Sequence, residues 1–290
     1  MNKLRVISSV SEVLSGVFRH YFQLILVAWP AILLLLVSFG ALVWMYLSTG
    51  ILDAVGGQNP EEVKAALEQM EAGGTSIGFI LIALLAGLAS AVAAVRWHRF
   101  VLLGEGADGR MENIRVLRAE DGSYIWTSIK LILVYMLFIA AFFILVALVV
   151  MLGRAVAGGG NAGVEAFAAL AAVIGYVFAL MIMFRLMVAL PDAAMGRGGR
   201  VIEIFRRTHG NSWRLLGAFM LLFLLGAVVL GVVGFALGLL ASVGIVGAVI
   251  GVILYAGAYL FFLMMQITML SVSYREIIGL PGSGESPAAV

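Results

Sequence analysis

Cysteine is absent from the 290 residues, which excludes disulfides, thiolate metal sites, iron–sulfur clusters and cysteine nucleophiles together. Charge is scarce: 12% of residues are Asp, Glu, Lys or Arg, where a soluble domain carries about a quarter. There are three histidines, His20, His98 and His209, and none has the close carboxylate or histidine spacing of a metal site. No HExxH and no recognisable Ser-His-Asp pattern occurs. The one Gly-x-Ser-x-Gly spacing, Gly74-Thr75-Ser76-Ile77-Gly78, leads into an apolar run with no β-strand signal before it and is no nucleophile elbow. Glu61-Glu62 is followed by no suitably spaced arginine, so an intramembrane glutamate protease is not expected.

What the chain has in abundance is apolar surface. Hydrophobic residues make up 63% and the mean hydropathy is +1.12. One soluble core cannot bury that much, so the natural solvent is lipid. The 35 glycines lie mostly inside apolar runs, as in membrane helices whose backbones approach closely. The first long apolar run starts near Leu24, too late and too long for a signal peptide, and reads as a retained membrane helix.

A helix that crosses about 30 Å of hydrocarbon needs roughly 20 apolar residues. Six segments meet this: Phe22–Leu47, Ile77–Leu103, Ile125–Leu152, Val164–Leu190, Trp213–Leu239 and Val243–Val272. The last two share one apolar stretch, divided at the turn signal Ala241-Ser242-Val243-Gly244. Sixteen of the 18 Lys and Arg fall on one side of this layout, and only Lys64 and Arg154 on the other. The positive-inside rule makes the larger group cytoplasmic, with both termini there. Trp97, Trp126 and Trp213 are expected at that interface and Trp44 at the outer one. Pro60–Met70, in an acidic outer loop, has the spacing of a short amphipathic helix.

The order of features repeats three times, in units of about 1–108, 109–196 and 197–280 within a single membrane domain 1–280, with residues 281–290 as a flexible tail. Each unit opens with a partly amphipathic segment, then a span, a return and a second span. The first opening shows it best. Val6, Ile7, Val10, Val13, Leu14, Val17 and Phe18 form an apolar stripe, with Lys3, Arg5, Glu12 and Arg19 mostly off it. Such a helix lies in the interface before bending into the first span.

Met183-Phe184-Arg185-Leu186 through Ala189-Leu190-Pro191, then a basic linker, then Phe205-Arg206-Arg207-Thr208-His209-Gly210-Asn211-Ser212-Trp213-Arg214 resembles a pattern in bacterial inner-membrane proteins. That group includes the membrane domain of glycerophosphoryl diester phosphodiesterases. The sequence departs from the pattern at Arg207-Thr208, where serine is usual, and at Gly196–Gly199, where an acidic residue is usual. No phosphodiesterase catalytic domain is present, so the resemblance implies a scaffold and no activity. It places the chain in a bacterial inner membrane.

Gly196-Arg197-Gly198-Gly199-Arg200 offers backbone amides and guanidinium groups to a phosphate, but it lacks the Gly-Lys-Ser/Thr ending of a P-loop. It reads more simply as a turn touching anionic headgroups. Arg96, Arg99, Arg185, Arg206, Arg207 and Arg214 share that expected contact. Arg185 and Asp192, like Arg96 and Arg99, stand at span ends, where charges either snorkel or gather in a polar cluster at the mouth of the bundle. The middle of every span has no Asp, Glu, Lys, Arg or His, which argues against an ion-coupled pump. Gly234, Gly238, Gly247 and Gly251 form two GxxxG motifs for helix packing. Gln266 and Thr268 are expected to bond between helices.

The sequence thus points to an all-α, six-span protein of three two-helix repeats, without cofactor, metal or nucleic acid. A non-enzymatic scaffold or accessory protein is expected, contacting anionic lipid and a protein partner or second copy. A lipid or small-solute transporter with a path between repeats is the alternative. The cysteine-free background makes topology directly testable. Ser48→Cys is expected to react with an impermeant thiol reagent from outside and Ser123→Cys only after the membrane is opened; the reverse asymmetry would invert the orientation.

Overall fold

Away from water a backbone must satisfy its own amides, and apolar runs of this length do so as helices. The computed structural model describes residues 3–48, 61, 64, 68, 75–106, 117–157, 162–198 and 200–280, and among them there is no strand. Helix α1 covers Val6–Val27, α2 Trp29–Ser48, α3 Thr75–Leu103, α4 Ala119–Ala157, α5 Ala162–Met187, α6 Leu190–Ala194, α7 Val201–Arg207, α8 Ser212–Ser242 and α9 Ile245–Ile277. A 3-10 turn, His209–Asn211, leads into α8. Five stretches are long and apolar enough to cross a membrane: Ile77–Leu103, Ala119–Ala155, Ala162–Ala194, His209–Leu240 and Val249–Ile277. The pair α1 and α2 passes the same test jointly, bent by 86°. The chain is a multi-pass, all-α membrane protein. The outer-loop helix expected over Pro60–Met70 lies largely outside the described residues, of which Glu61, Lys64 and Glu68 are helical. The tail 281–290 lies wholly outside them.

The first span differs from the expected Phe22–Leu47. Phe22 belongs to α1, and the chain turns at Ala28, with φ −115° and ψ 13°, before α2 begins at Trp29. Pro30 explains the break, because proline has no N–H to give a preceding turn and is tolerated only where a helix starts. At the bend the Ala28 N–H goes to Ile25 O at 3.2 Å. The Leu24 carbonyl is thereby freed for another donor, and Trp97 Nε1 supplies it at 2.7 Å. Trp97 is accordingly buried rather than interfacial, whereas Trp44, Trp126 and Trp213 are well exposed.

Three hairpins organise the spans: α2 with α3, α4 with α5, and α8 with α9, each helix packing most extensively on its own partner. Burial is concentrated at the arginine-bearing end, with Gly247 and Gly251 of α9 as buried positions at the other. In α3 it starts at Ala89, in α4 it stops at Leu131, in α5 it starts at Gly175 and in α8 it stops at Gly226. Three seven-residue runs, 92–98, 188–194 and 268–274, are buried on every side. Shortly after each run the backbone reaches a left-handed glycine, Gly104 at φ 69°, Gly196 at φ 78° and Gly279 at φ 91°, the conformation that ends a helix with its last carbonyls satisfied. Helix α1 lies across this end against α8, α9 and α3. It buries Val10, Val13 and Val17 and leaves Ile7, Phe18, Phe22 and Leu26 exposed.

Glycine sets close approaches inside the hairpins, through one of the two GxxxG motifs and through glycines outside both. A side chain at Gly247 would strike the Leu240 carbonyl, and one at Gly251 would strike Leu237. Gly234 would meet only Tyr255, at 3.7 Å, and Gly238 nothing within 4 Å. Gly175 and Gly226, outside both motifs, lie directly under the rings of Phe142 and Phe262. Gly247→Ala is therefore expected to destabilise the detergent-solubilised protein by about 1–3 kcal/mol through backbone overpacking. Gly238→Ala should be neutral or stabilising by up to about 1 kcal/mol. Thermal unfolding of the two variants side by side distinguishes them.

Candidate functional site

The arginine-bearing end is a plate of ion pairs that joins the hairpins. Helix α4 begins with Glu120 and Asp121, carboxylates placed where a helix N-terminus favours negative charge. Asp121 reaches back to the Arg118 N–H at 2.7 Å, the return half of a capping box. Its two oxygens also accept from Arg96 of α3, at 3.2 and 3.0 Å. Asp121 is fully buried and Arg96 nearly so. Arg96 thus faces a protein carboxylate and not a headgroup.

One turn further along α3, Arg99 binds Glu105 through two nitrogens, lies 3.5 Å from Glu120 and donates to the Ala194 carbonyl of α6 at 3.1 Å. Arg118 approaches Glu105 at 3.5 Å. The hydrogen bond from Arg99 holds the Glu105 carboxyl below its usual range, with the nearby arginine charges adding to the effect. Its share of stability is therefore complete at neutral pH and is lost as pH falls through that lowered value.

Pro191 has no N–H to donate to the Met187 carbonyl, so α5 ends at Met187 and the short α6 follows. This turns Asp192 into the protein, where it is almost wholly buried. It accepts from Tyr274 Oη of α9 at 2.7 Å and from Arg200, whose Nε lies 3.3 Å away. Arg197 stands 4.0 Å from the same carboxylate. Arg200 and Arg207 both approach Glu203, at 3.9 and 3.0 Å. The glycine turn, read from sequence as a turn touching headgroups, packs against the protein. The Arg197 N–H bonds to Asp192 O at 3.1 Å, and Gly198 presses against Ser123 and Thr127 of α4. Gly199 lies outside the described residues.

Residues before α1 are clasped by the third hairpin. The Leu4 N–H donates to Asn211 Oδ1 and the Leu4 carbonyl accepts from Arg214, both at 2.9 Å. Glu276 accepts from the Arg5 N–H at 3.2 Å and from Ser9 Oγ at 2.8 Å. Arg275 pairs with Glu12.

Once these pairs are assigned, the remaining cations stand out. Among the described residues the side chains of Lys3, Arg5, Arg19, Lys130, Arg185, Arg206 and Arg214 pair with no carboxylate. Arg185 donates to the Phe205 carbonyl at 2.6 Å and to Thr208 Oγ1 at 3.4 Å, and stacks 3.8 Å from the Phe205 ring centre. Arg206 and Arg214 are exposed. Arg185 and Asp192 do not meet, because the break at Pro191 sends them to different partners.

His98, which the sequence marks only as lacking the spacing of a metal ligand, is fully buried. It is ringed by other elements, with Nδ1 2.7 Å from Ser271 Oγ and its ring 5.7 Å from that of Tyr124. Its Nε2 has no protein partner, nor have Thr127 Oγ1, Ser273 Oγ, Gln266 Nε2 and Thr268 Oγ1, all buried. The interhelical bonds expected of Gln266 Nε2 and Thr268 Oγ1 are not formed. No group of three His, Asp or Glu among the described residues could hold a metal ion.

Comparison with protein-family models, curated proteins and solved structures finds no match for this chain.

Removing one member of a buried pair strands the other charge, at a cost of about 3–5 kcal/mol. Arg96→Ala and Asp121→Ala are each expected to destabilise on that scale. The double variant should lose much less than the two losses combined, as a double-mutant cycle of thermal unfolding would measure.

Proposed function

We propose that this protein is a non-enzymatic scaffold or accessory subunit of a bacterial inner membrane. Its arginine-bearing plate lies on the cytoplasmic side, with both termini, in contact with anionic headgroups. The observation that carries the reading is the division of the arginines. Arg96, Arg99, Arg200 and Arg207 are matched by protein carboxylates. Arg5, Arg19, Arg185, Arg206 and Arg214 carry charge that no described carboxylate offsets, and Arg214 follows the exposed Trp213. Positive charge next to an interfacial aromatic ring suits the anionic surface of a membrane. The exposed apolar line Ile7, Phe18 and Phe22 along α1 supports a helix lying in the same interface.

Six spans in three repeats belong to this reading. Each unit, about 1–108, 109–196 and 197–280, closes with a second helix that ends in a fully buried run and a left-handed glycine. The resemblance to phosphodiesterase membrane domains fits it too, since the two polar residues of Gly210-Asn211-Ser212-Trp213-Arg214 that clasp Leu4 serve architecture and not catalysis. The three buried runs fill the centre of the plate, which weighs against a solute path between repeats.

Native mass spectrometry of the protein extracted gently from its own membrane tests the reading. Retained anionic lipid, or a stoichiometric protein partner, is expected. A bare monomer under conditions that preserve lipid on a control membrane protein would overturn it.

A further inference from the structure

The α4/α5 hairpin holds an apolar groove of about 610 Å³ on the lipid-exposed side of the plate, lined among others by Phe138, Phe142, Ala171, Ile174, Phe178 and Ile182. It forms because the Phe142 ring packs onto Gly175 and so keeps the two helices apart to either side. Ile174 and Phe178 are about half exposed, so the groove opens toward the lipid and is not sealed inside the protein. On α5 the lining residues Ala171, Ile174, Phe178 and Ile182 follow helical spacing, and the next position on that face is Arg185. From Phe167 to Ile182 the groove runs about 22 Å, more than half of a hydrocarbon core roughly 30 Å thick, and Arg185 stands about 5 Å beyond it.

One face of α5 therefore presents an apolar slot long enough for an acyl chain, capped by a guanidinium without a described carboxylate partner. Arg185 is fixed in place by the Phe205 carbonyl, Thr208 and the Phe205 ring, and the unpaired Arg206 is the neighbour of Phe205 in α7. We propose that this is a binding site for one anionic phospholipid of the cytoplasmic leaflet, its phosphate on Arg185 and Arg206 and one acyl chain in the Phe138–Phe142–Phe178 groove. The complementarity is of two kinds at once. A zwitterionic lipid would fill the groove but leave the cations uncompensated, and a soluble anion would leave the groove unfilled. Phosphate held by a positioned guanidinium is the stronger, charge-assisted kind of hydrogen bond. The site rests on the anionic-lipid reading above and gives it a location.

The test uses the full chain in phosphatidylcholine vesicles doped with phosphatidylglycerol that carries a photoactivatable group in its acyl chain. Wild-type protein is expected to be labelled on the groove residues of α4 and α5, with unlabelled phosphatidylglycerol competing at least about tenfold better than phosphatidylcholine of the same chains. Ala171→Trp, which fills the slot, should abolish groove labelling. Arg185→Gln should leave it but remove the preference for the anionic competitor. Groove labelling indifferent to headgroup would overturn the site. Anion-selective labelling near Arg206 or Arg214 that spares the groove would also overturn it, while leaving the scaffold reading intact. No anionic preference anywhere would overturn both. The wild-type map decides between these outcomes even if a variant fails to fold.

Discussion

Everything in this fold depends on buried carboxylates that take arginines from another hairpin or linker. In lipid, helices gain nothing from hiding apolar surface from one another, because the surroundings are as apolar as they are. Association must come from close packing and from polar groups that have no better partner. Asp121 supplies such a group between α3 and α4, and Asp192 between α6, Arg200 and α9. The position of the core follows. Buried residues cluster where the ion pairs are, and beyond Leu131 in α4 and Gly226 in α8 no further described residue of those helices is buried.

This division gives the molecule two mechanical regimes. The plate is rigid, since each pair is reinforced by a helix end: Asp121 caps α4, Asp192 is directed inward by the break at Pro191, and Arg99 takes the carbonyl at the end of α6. The opposite end consists of hairpins held mainly by their own internal contacts, with glycines under aromatic rings setting their spacing. Lipid belongs between such hairpins as naturally as protein does. A scaffold that keeps its charged end fixed while its apolar ends mix with lipid suits the proposed role better than a pump, whose ion path needs polar groups at depth.

The sequence disclosed the membrane class, the long helices and the turn before α9 because those follow from hydropathy and glycine, which are local signals. It also disclosed that α1 stands apart from the first span. It did not disclose where α1 ends, because the bend depends on Trp97 of another helix taking the freed Leu24 carbonyl. It likewise left open whether Arg185 and the arginines of α3 snorkel or cluster, since hydropathy treats a paired and an unpaired guanidinium alike. Their carboxylates lie 25 residues apart in the case of Arg96 and Asp121, a separation no helical period encodes. The GxxxG motifs identified glycines but not the face each one presents, so Gly247 touches a backbone while Gly238 faces open space. Trp97 was misplaced because residues at a span end are interfacial unless other elements surround that end, and here α1, α4, α6 and α9 do.

The clasp around the first residues bears on how the protein is made. Leu4 is held by Asn211 and Arg214, Ser9 by Glu276 and Glu12 by Arg275. A ribosome delivers these partners in the opposite order from the one in which they are needed. The N-terminal helix emerges first, yet its seat exists only after α9 has been synthesised and inserted. Until then the packing face of α1 is unoccupied, and the fold closes, like a belt, with an early element fastened last.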